Sequence, residues 1–195
     1  GLGFLNAFGM VSPVYQFLSW LSQTLHITSE GFLLALVFLA GVGLLGITAL
    51  LAGLATSMLA RARSPWWGFR QFVYSLAPLG FSMWAAHYLF HFLTGALTVV
   101  PLTQSFVMDV FGHPLLGWPA WHLASLLPMN VVHQFVLLVF AAGFFGSATW
   151  ALVLGRHLQL RFHVVLPWIV LQVVLFLFGV WLLDQPMEMR GTLLG

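Results

Sequence analysis

The chain has 195 residues, of which 61% are hydrophobic and only 5% charged, with a mean hydropathy of +1.01. A soluble domain carries about a quarter charged residues, so this composition excludes a water-facing globule and points to an integral membrane protein in contact with a lipid bilayer. The net charge of +2 comes from six arginines without a lysine, too scattered for a nucleic-acid footprint, and the lack of cysteine excludes disulfides, Cys-ligated zinc and any iron–sulfur cluster within this chain.

The N-terminal "GLGFLNAFG" has no basic stretch before an apolar core and so lacks the form of a signal peptide. Residues 1–30 read as a separate segment. In "SPVYQFLSWLSQTL", Val14, Phe17, Leu18, Leu21 and Leu25 fall on one side at helical spacing, with Ser19, Ser22 and Gln23 toward the other. That pattern predicts an amphipathic helix lying in the outer interface; a fifth, poor transmembrane span is the alternative. "HITSEGF" follows, where Thr28 or Ser29 is placed to cap the next helix.

Residues 31–195 read as an all-α bundle of four main transmembrane helices, from about Gly31 to Leu59, Phe72 to Val99, Met129 to Leu154 and Val164 to Leu183. Each reaches the roughly 20 residues a helix needs to cross a bilayer. Arg61, Arg63 and Arg70 lie between the first and second spans, and Arg156 and Arg161 between the third and fourth. By the positive-inside rule, loops 60–71 and 155–163 are cytoplasmic, in what is expected to be a bacterial cytoplasmic membrane. Arg190, near Asp184 and Glu188, is the one basic residue that dissents. Pro78 should kink the second span and free the carbonyl of Tyr74. Gln172, in the middle of the fourth span, should hydrogen-bond across the bundle.

The connection 100–128 has no basic residue and is broken by Pro101, Pro114, Pro119 and Pro128. With Trp118 and Trp121 as headgroup anchors, it should form a lid of short helices over the outer end. Asp109 is its single acid, a group for solvation or proton exchange.

The chemistry concentrates in "PLGFSMWAAHYLFHFLTG". Gly80, Met83, His87, His91, Thr94 and Thr98 make a stripe too polar and too rich in small residues to face lipid. Met129, His133, Phe140, Phe144 and Ser147 trace a comparable stripe on the third span. At 1.5 Å per residue, His91 lies about 6 Å below Gly95 and His133 about 6 Å below Met129, so the two should sit at similar depth. Bis-imidazole ligation of b haem needs such a pair from facing helices, with Gly80 and Gly95 leaving room for a flat macrocycle. Copper held by Met83, His87, His91, Met129 and His133 is a second reading. A third is a quinone or quinol site, with Trp84, Tyr88 and Phe90 as the stacking wall. The plain alternative is that the histidines are interhelical hydrogen-bond partners, contributing about 0.6–2 kcal/mol each. His122 lies in the outer connection just above them, while His157 and His163 fit solvated or headgroup roles better than ligation and His26 and His113 carry no ligand signal. "PMEMRG" near the C-terminus has methionine spacing compatible with copper, a weak signal.

"FLNAFGMVSPVY", "LAPLGFSMWAAHYLFHFLTG", "VVPLTQSF" and "QPMEMRGTL" together resemble the C-terminal membrane region of FesM-type membrane 4Fe-4S (polyferredoxin-like) proteins. The resemblance implies membrane electron transfer, with clusters in a part preceding the matched region or in a separate partner, and carries over His87 and His91 as functional positions. The expected function is therefore a membrane electron-transfer subunit or domain of a redox complex. It would link an iron–sulfur or cytochrome partner to haem b or the quinone pool, without catalytic residues of its own. A structural membrane anchor of a larger complex and a copper-handling or transport protein are the alternatives; the shortage of buried acids weighs against ion-coupled transport.

Overall fold

A computed structural model describes residues 2–27 and 29–185. Thr28, and the "PMEMRG" stretch with Glu188 and Arg190, lie outside the described residues. Every helix and turn of helix among them belongs to an all-α membrane protein. Gly31–Leu59, Trp121–His157 and Phe162–Asp184 are long and apolar enough to cross a membrane. A fourth crossing results if Trp67–Gly95 and Val99–Phe111, which meet at a bend of 43°, are taken together. The chain divides into two compact units, Gly1–Trp84 with Phe140–Gly195, and Ala85–Val139.

The first unit contains α1 (Leu2–Phe8), α2 (Ser12–Leu25), α3 (Glu30–Leu59), α4 (Trp67–Phe72) and α8 (Phe162–Asp184). It also takes the start of α5 (Ala77–Gly95) and the latter part of α7 (Met129–His157). The fourteen residues of α2 extend about 21 Å, so α2 by itself is shorter than the roughly 30 Å of hydrocarbon. Pro13 near its start costs it nothing, because first-turn N–H groups have no helical partner anyway. Val14 and Leu18 are buried and Leu21 half-buried, while Phe17 and Leu25 are exposed, so the packed stripe is narrower than the sequence pattern. Short α1 was not foreseen as an element. Its Phe4 stacks on Phe178 at 6.4 Å and meets Phe140 edge-on at 5.9 Å, over Gly179, where a Cβ would strike both Phe140 and Phe4.

The second span starts differently from expectation. Instead of one helix kinked at Pro78, α4 passes into a 3-10 turn at Val73–Leu76, and α5 begins anew at Ala77. Pro78 therefore occupies a first turn, where a missing N–H is harmless. The Tyr74 carbonyl is not freed, because it accepts the Ala77 N–H. The next N–H, from Leu79, donates to Ser147 Oγ at 2.8 Å, so α7 caps α5 from across the bundle. Gln172 Nε2 reaches the same point, with Ser75 Oγ at 3.0 Å and the Ser147 carbonyl at 3.3 Å. These bonds let an irregular segment exist at membrane depth, where exposed backbone groups would be prohibitively costly. Gly143 permits the close approach, since a Cβ there would overlap Ser82 and lie 2.8 Å from the Pro78 carbonyl oxygen.

Toward the arginine-bearing end, Phe72, Ala151, Val165, Trp168, Ala49 and Ala52 form the core of this unit. Ser57 secures the α3–α4 turn. Its hydroxyl approaches the Pro65 carbonyl at 2.8 Å and the Gly53 carbonyl at 3.0 Å, and its oxygen accepts the Gly68 N–H at 2.8 Å.

The second unit holds the rest of α5, α6 (Val99–Phe111), a 3-10 turn at Trp121–Ala124 and the first part of α7. Pro101 falls in the first turn of α6 and starts the helix rather than breaking it. Gly112, at φ 68°, ends it in the left-handed region that glycine enters without strain. Gln104 then holds the following loop against α6, donating to the Leu116 carbonyl and accepting the Ala120 N–H, both at 3.0 Å. Trp118 and Trp121 stay largely exposed, as headgroup anchors would be.

Candidate functional site

Of the predicted site residues, His87, His91 and His133 belong to the second unit and Met83 and Trp84 to the first, and all but His133 lie on α5. His87 and His91 are one turn apart, so their side chains rise from the same face. Their ring centroids lie 4.7 Å apart with planes at 82°, an edge-to-face pair. Tyr88 meets His87 edge-on at 5.5 Å, and Phe90 meets His91 at 5.6 Å. His87 is 2% exposed and His91 half-buried. His87 Nδ1 and His91 Nε2 are both buried without a hydrogen-bond partner. A buried polar nitrogen left unpaired costs about 1–3 kcal/mol, so two on one helix call for a physical reason.

The stripe read from the sequence is an inward one. Met83 and His87 are buried, and Gly80, His91, Thr94 and Thr98 are half-buried. Phe81, Trp84, Tyr88 and Phe92 form the exposed row of the same helix. Trp84 therefore stands on the open row, beside Phe81 at 6.0 Å, rather than on the stripe that carries the histidines. Gly95 faces open space, a Cβ there meeting only Thr98 Oγ1 at 3.7 Å. Gly80 borders a cavity of only about 70 Å³ in the first unit, well below the few hundred Å³ of a cofactor pocket.

His133 lies half-buried on α7. The segment entering α7 is tied to the end of α5 by Leu126 N–H to the Leu93 carbonyl at 2.8 Å and Ser125 Oγ to the same carbonyl at 3.3 Å. Leu97 N–H adds a bond to the Ala124 carbonyl at 3.1 Å. Along their helices, His91 sits about 3 Å before Leu93 and His133 about 6 Å into α7. Among the described residues, no three His, Asp or Glu side chains converge on a point that would hold a metal ion. Two rings 4.7 Å apart on one helix leave no room for a macrocycle between them, so both axial positions of one haem cannot come from α5. Met129, of the copper set, is 59% exposed at the start of α7.

The remaining candidates lie elsewhere. His113, His122, His157 and His163 are exposed. His26 terminates α2 in a left-handed conformation, φ 54°, with its N–H on the Ser22 carbonyl. Ser29 occupies the cap position of α3 but makes no side-chain cap bond. Asp109 is exposed on α6. Gln172 does hydrogen-bond across the bundle. Of its partners, Ser147 falls on the inward stripe read from the third span, whereas Ser75 had no signal in the sequence beyond being small and polar. No known protein family, curated protein or solved structure matches this chain.

Proposed function

We propose that this chain is a membrane electron-transfer subunit or domain of a redox complex, in which α5 and α7 of the second unit hold b haem or a quinol head. The observation that carries this reading is the pair of buried, unpartnered imidazole nitrogens on His87 and His91. An imidazole nitrogen without a hydrogen-bond partner is a ready ligand for iron and a ready acceptor for a quinol hydroxyl proton. Intramembrane ionisable side chains are functional by default, and edge-on aromatic neighbours restrict how these rings turn. For haem, one ligand comes from His87 or His91 and the other from His133. The haem would supply a one-electron centre, while the chain's own residues position the imidazoles and exclude water. For a quinol, the imidazole accepts the hydroxyl proton. The chain then acts as a conduit, and its electron donor, an iron–sulfur or cytochrome protein, is a separate part or partner. The arginine loops orient the chain with that partner on the cytoplasmic side of a bacterial inner membrane.

The test is a visible spectrum with iron and copper analysis of the purified full chain in detergent, followed by quinone binding. The expected result is a Soret band with a reduced α-band near about 560 nm, lost in His133→Ala and in one of His87→Ala or His91→Ala. For the quinol version, quinone binding should weaken in the same variants. A colourless, metal-free protein that binds no quinone would overturn the proposal and leave a structural anchor role.

A further inference from the structure

The arginines are spread along the sequence, but the first unit collects five of them at one end. Arg61 and Arg63 follow α3, Arg70 is in the last turn of α4, Arg156 is in the last turn of α7, and Arg161 precedes α8. The elements that carry them are packed together. Phe69 and Phe72 of α4, Leu154 of α7, Leu158 and Leu160 of the α7–α8 turn, and Trp168 of α8 share one hydrophobic cluster. All five arginines are exposed. The described acids of this unit lie at the other end, Glu30 at the start of α3 and Asp184 at the end of α8. At 1.5 Å per residue these are about 44 Å and 33 Å away. None of the five guanidinium groups has a carboxylate partner among the described residues; Arg70 reaches only Ser64 Oγ, at 3.4 Å.

The end is also held in place. Ser57 ties the α3–α4 turn, and Gly53 and Gly68 bring the two helices into backbone contact. The α7–α8 connection is only Leu158–Arg161, closed by Leu160 N–H on the Gly155 carbonyl at 2.9 Å, with Gln159 at φ 56°. Such short connections keep the guanidinium groups within about one turn of the helix ends, level with lipid headgroups rather than standing out in water. Trp66, 54% exposed, and Phe162, 61% exposed, lie at the same level, as interfacial anchors do.

We propose that this end of the first unit is a docking surface for anionic phospholipid headgroups, whose phosphates take the place of the missing carboxylates. Guanidinium groups bind phosphate oxygens in bidentate fashion, and a rigid cluster of them selects charged over zwitterionic headgroups. This inference is independent of the histidine site. A protruding acidic protein is the less suitable occupant, because the guanidinium groups stay within about one turn of the ends of helices long enough to cross a membrane.

The experiment uses the purified full chain in neutral detergent, titrated with phosphatidylglycerol or phosphatidylcholine and read by native mass spectrometry and thermal unfolding. Phosphatidylglycerol should be retained preferentially and should raise the unfolding temperature. The preference should fall about fivefold for each arginine removed, from the surface attraction of basic residues, in the series R61Q, R63Q, R156Q and R161Q. The corresponding Arg→Lys quadruple variant should keep more of it than the Gln variant but less than wild type, since lysine keeps the charge without the bidentate fork. For wild-type protein, salt near 1 M shortens screening to about 3 Å and should remove the preference, a reading that does not depend on any variant folding. Equal retention of both lipids, a preference indifferent to salt, or an unchanged preference in the folded Gln quadruple variant would overturn the proposal. So would an acidic soluble protein that binds this end while the two lipids are retained equally.

Discussion

Replacing Gly143 by alanine tests the packing of α5 against α7 in the first unit. A Cβ at this position overlaps the Ser82 side chain and stands 2.8 Å from the Pro78 carbonyl oxygen. Ser82 is anchored by hydroxyl contacts to the Leu79 carbonyl at 3.0 Å and the Phe140 carbonyl at 3.4 Å. The Pro78 oxygen is backbone and moves only with α5. The helices must therefore separate. Overpacking of this kind costs about 1–3 kcal/mol. Separation also stretches the Leu79 to Ser147 bond, and a hydrogen bond between membrane helices contributes about 0.6–1.7 kcal/mol. Against this stands a gain of up to about 1 kcal/mol for alanine over glycine within a helix. The net expectation for Gly143→Ala is a loss of about 1–4 kcal/mol. Gly46→Ala is the control, because no atom lies within 4 Å of its Cβ position and only the propensity gain remains. Denaturation of the purified protein in mixed micelles, followed by tryptophan fluorescence, gives both values. If Gly143→Ala proves as stable as Gly46→Ala, the close approach of α5 and α7 is wrong.

Two further outcomes follow from the hydrogen bonds. Gln172→Leu removes an amide that serves Ser75 and Ser147 but also an unpartnered Oε1, so its net cost should be only about 1 kcal/mol. The sharper reading is a double-mutant cycle of Gln172→Leu with Ser75→Ala, which should give a coupling of about 0.6–1.7 kcal/mol; additive losses would show that the 3.0 Å bond does not form. Gln104→Leu should raise hydrogen exchange across residues 112–120 several-fold while leaving global stability within about 1 kcal/mol, since Gln104 bonds only within the second unit. Unchanged exchange there would mean the loop is held by something else.

The membrane class and the long spans were legible because they depend on composition and length, which bilayer thickness constrains directly. Gln172 was legible for the same reason, as an amide in hydrocarbon has to find partners. The identity of those partners was not, since Ser75 and Ser147 stand 97 and 25 residues away, and the stripe that turns Ser147 inward does not say which helix it meets. Pro78 shows how one residue supports two geometries. A proline in an apolar run reads as a kink, yet the same residue suits the first turn of a new helix equally well. What decides between them is the cap that Ser147 offers to Leu79, a tertiary contact. Helix α1 was missed because seven residues are too few for a periodic signal, and its stability comes from Phe4 packing on Phe140 and Phe178.

The histidine pair marks the boundary between what spacing can and cannot convey. A separation of four residues puts His87 and His91 on one helix face, and the lack of acids nearby in the sequence leaves them without an obvious ion-pair role. Spacing is silent on whether each ring nitrogen is bonded. A histidine serving only as interhelical glue would spend its polar atoms on a neighbouring carbonyl or hydroxyl, as Ser82 does with Leu79 and Phe140 and Ser125 does with Leu93. His87 Nδ1 and His91 Nε2 do not. Elsewhere in the same helices small hydroxyls satisfy the backbone, so the unpaired imidazole nitrogens stand out by contrast with their own surroundings. That contrast, rather than the number of histidines, is what supports the proposed ligand site.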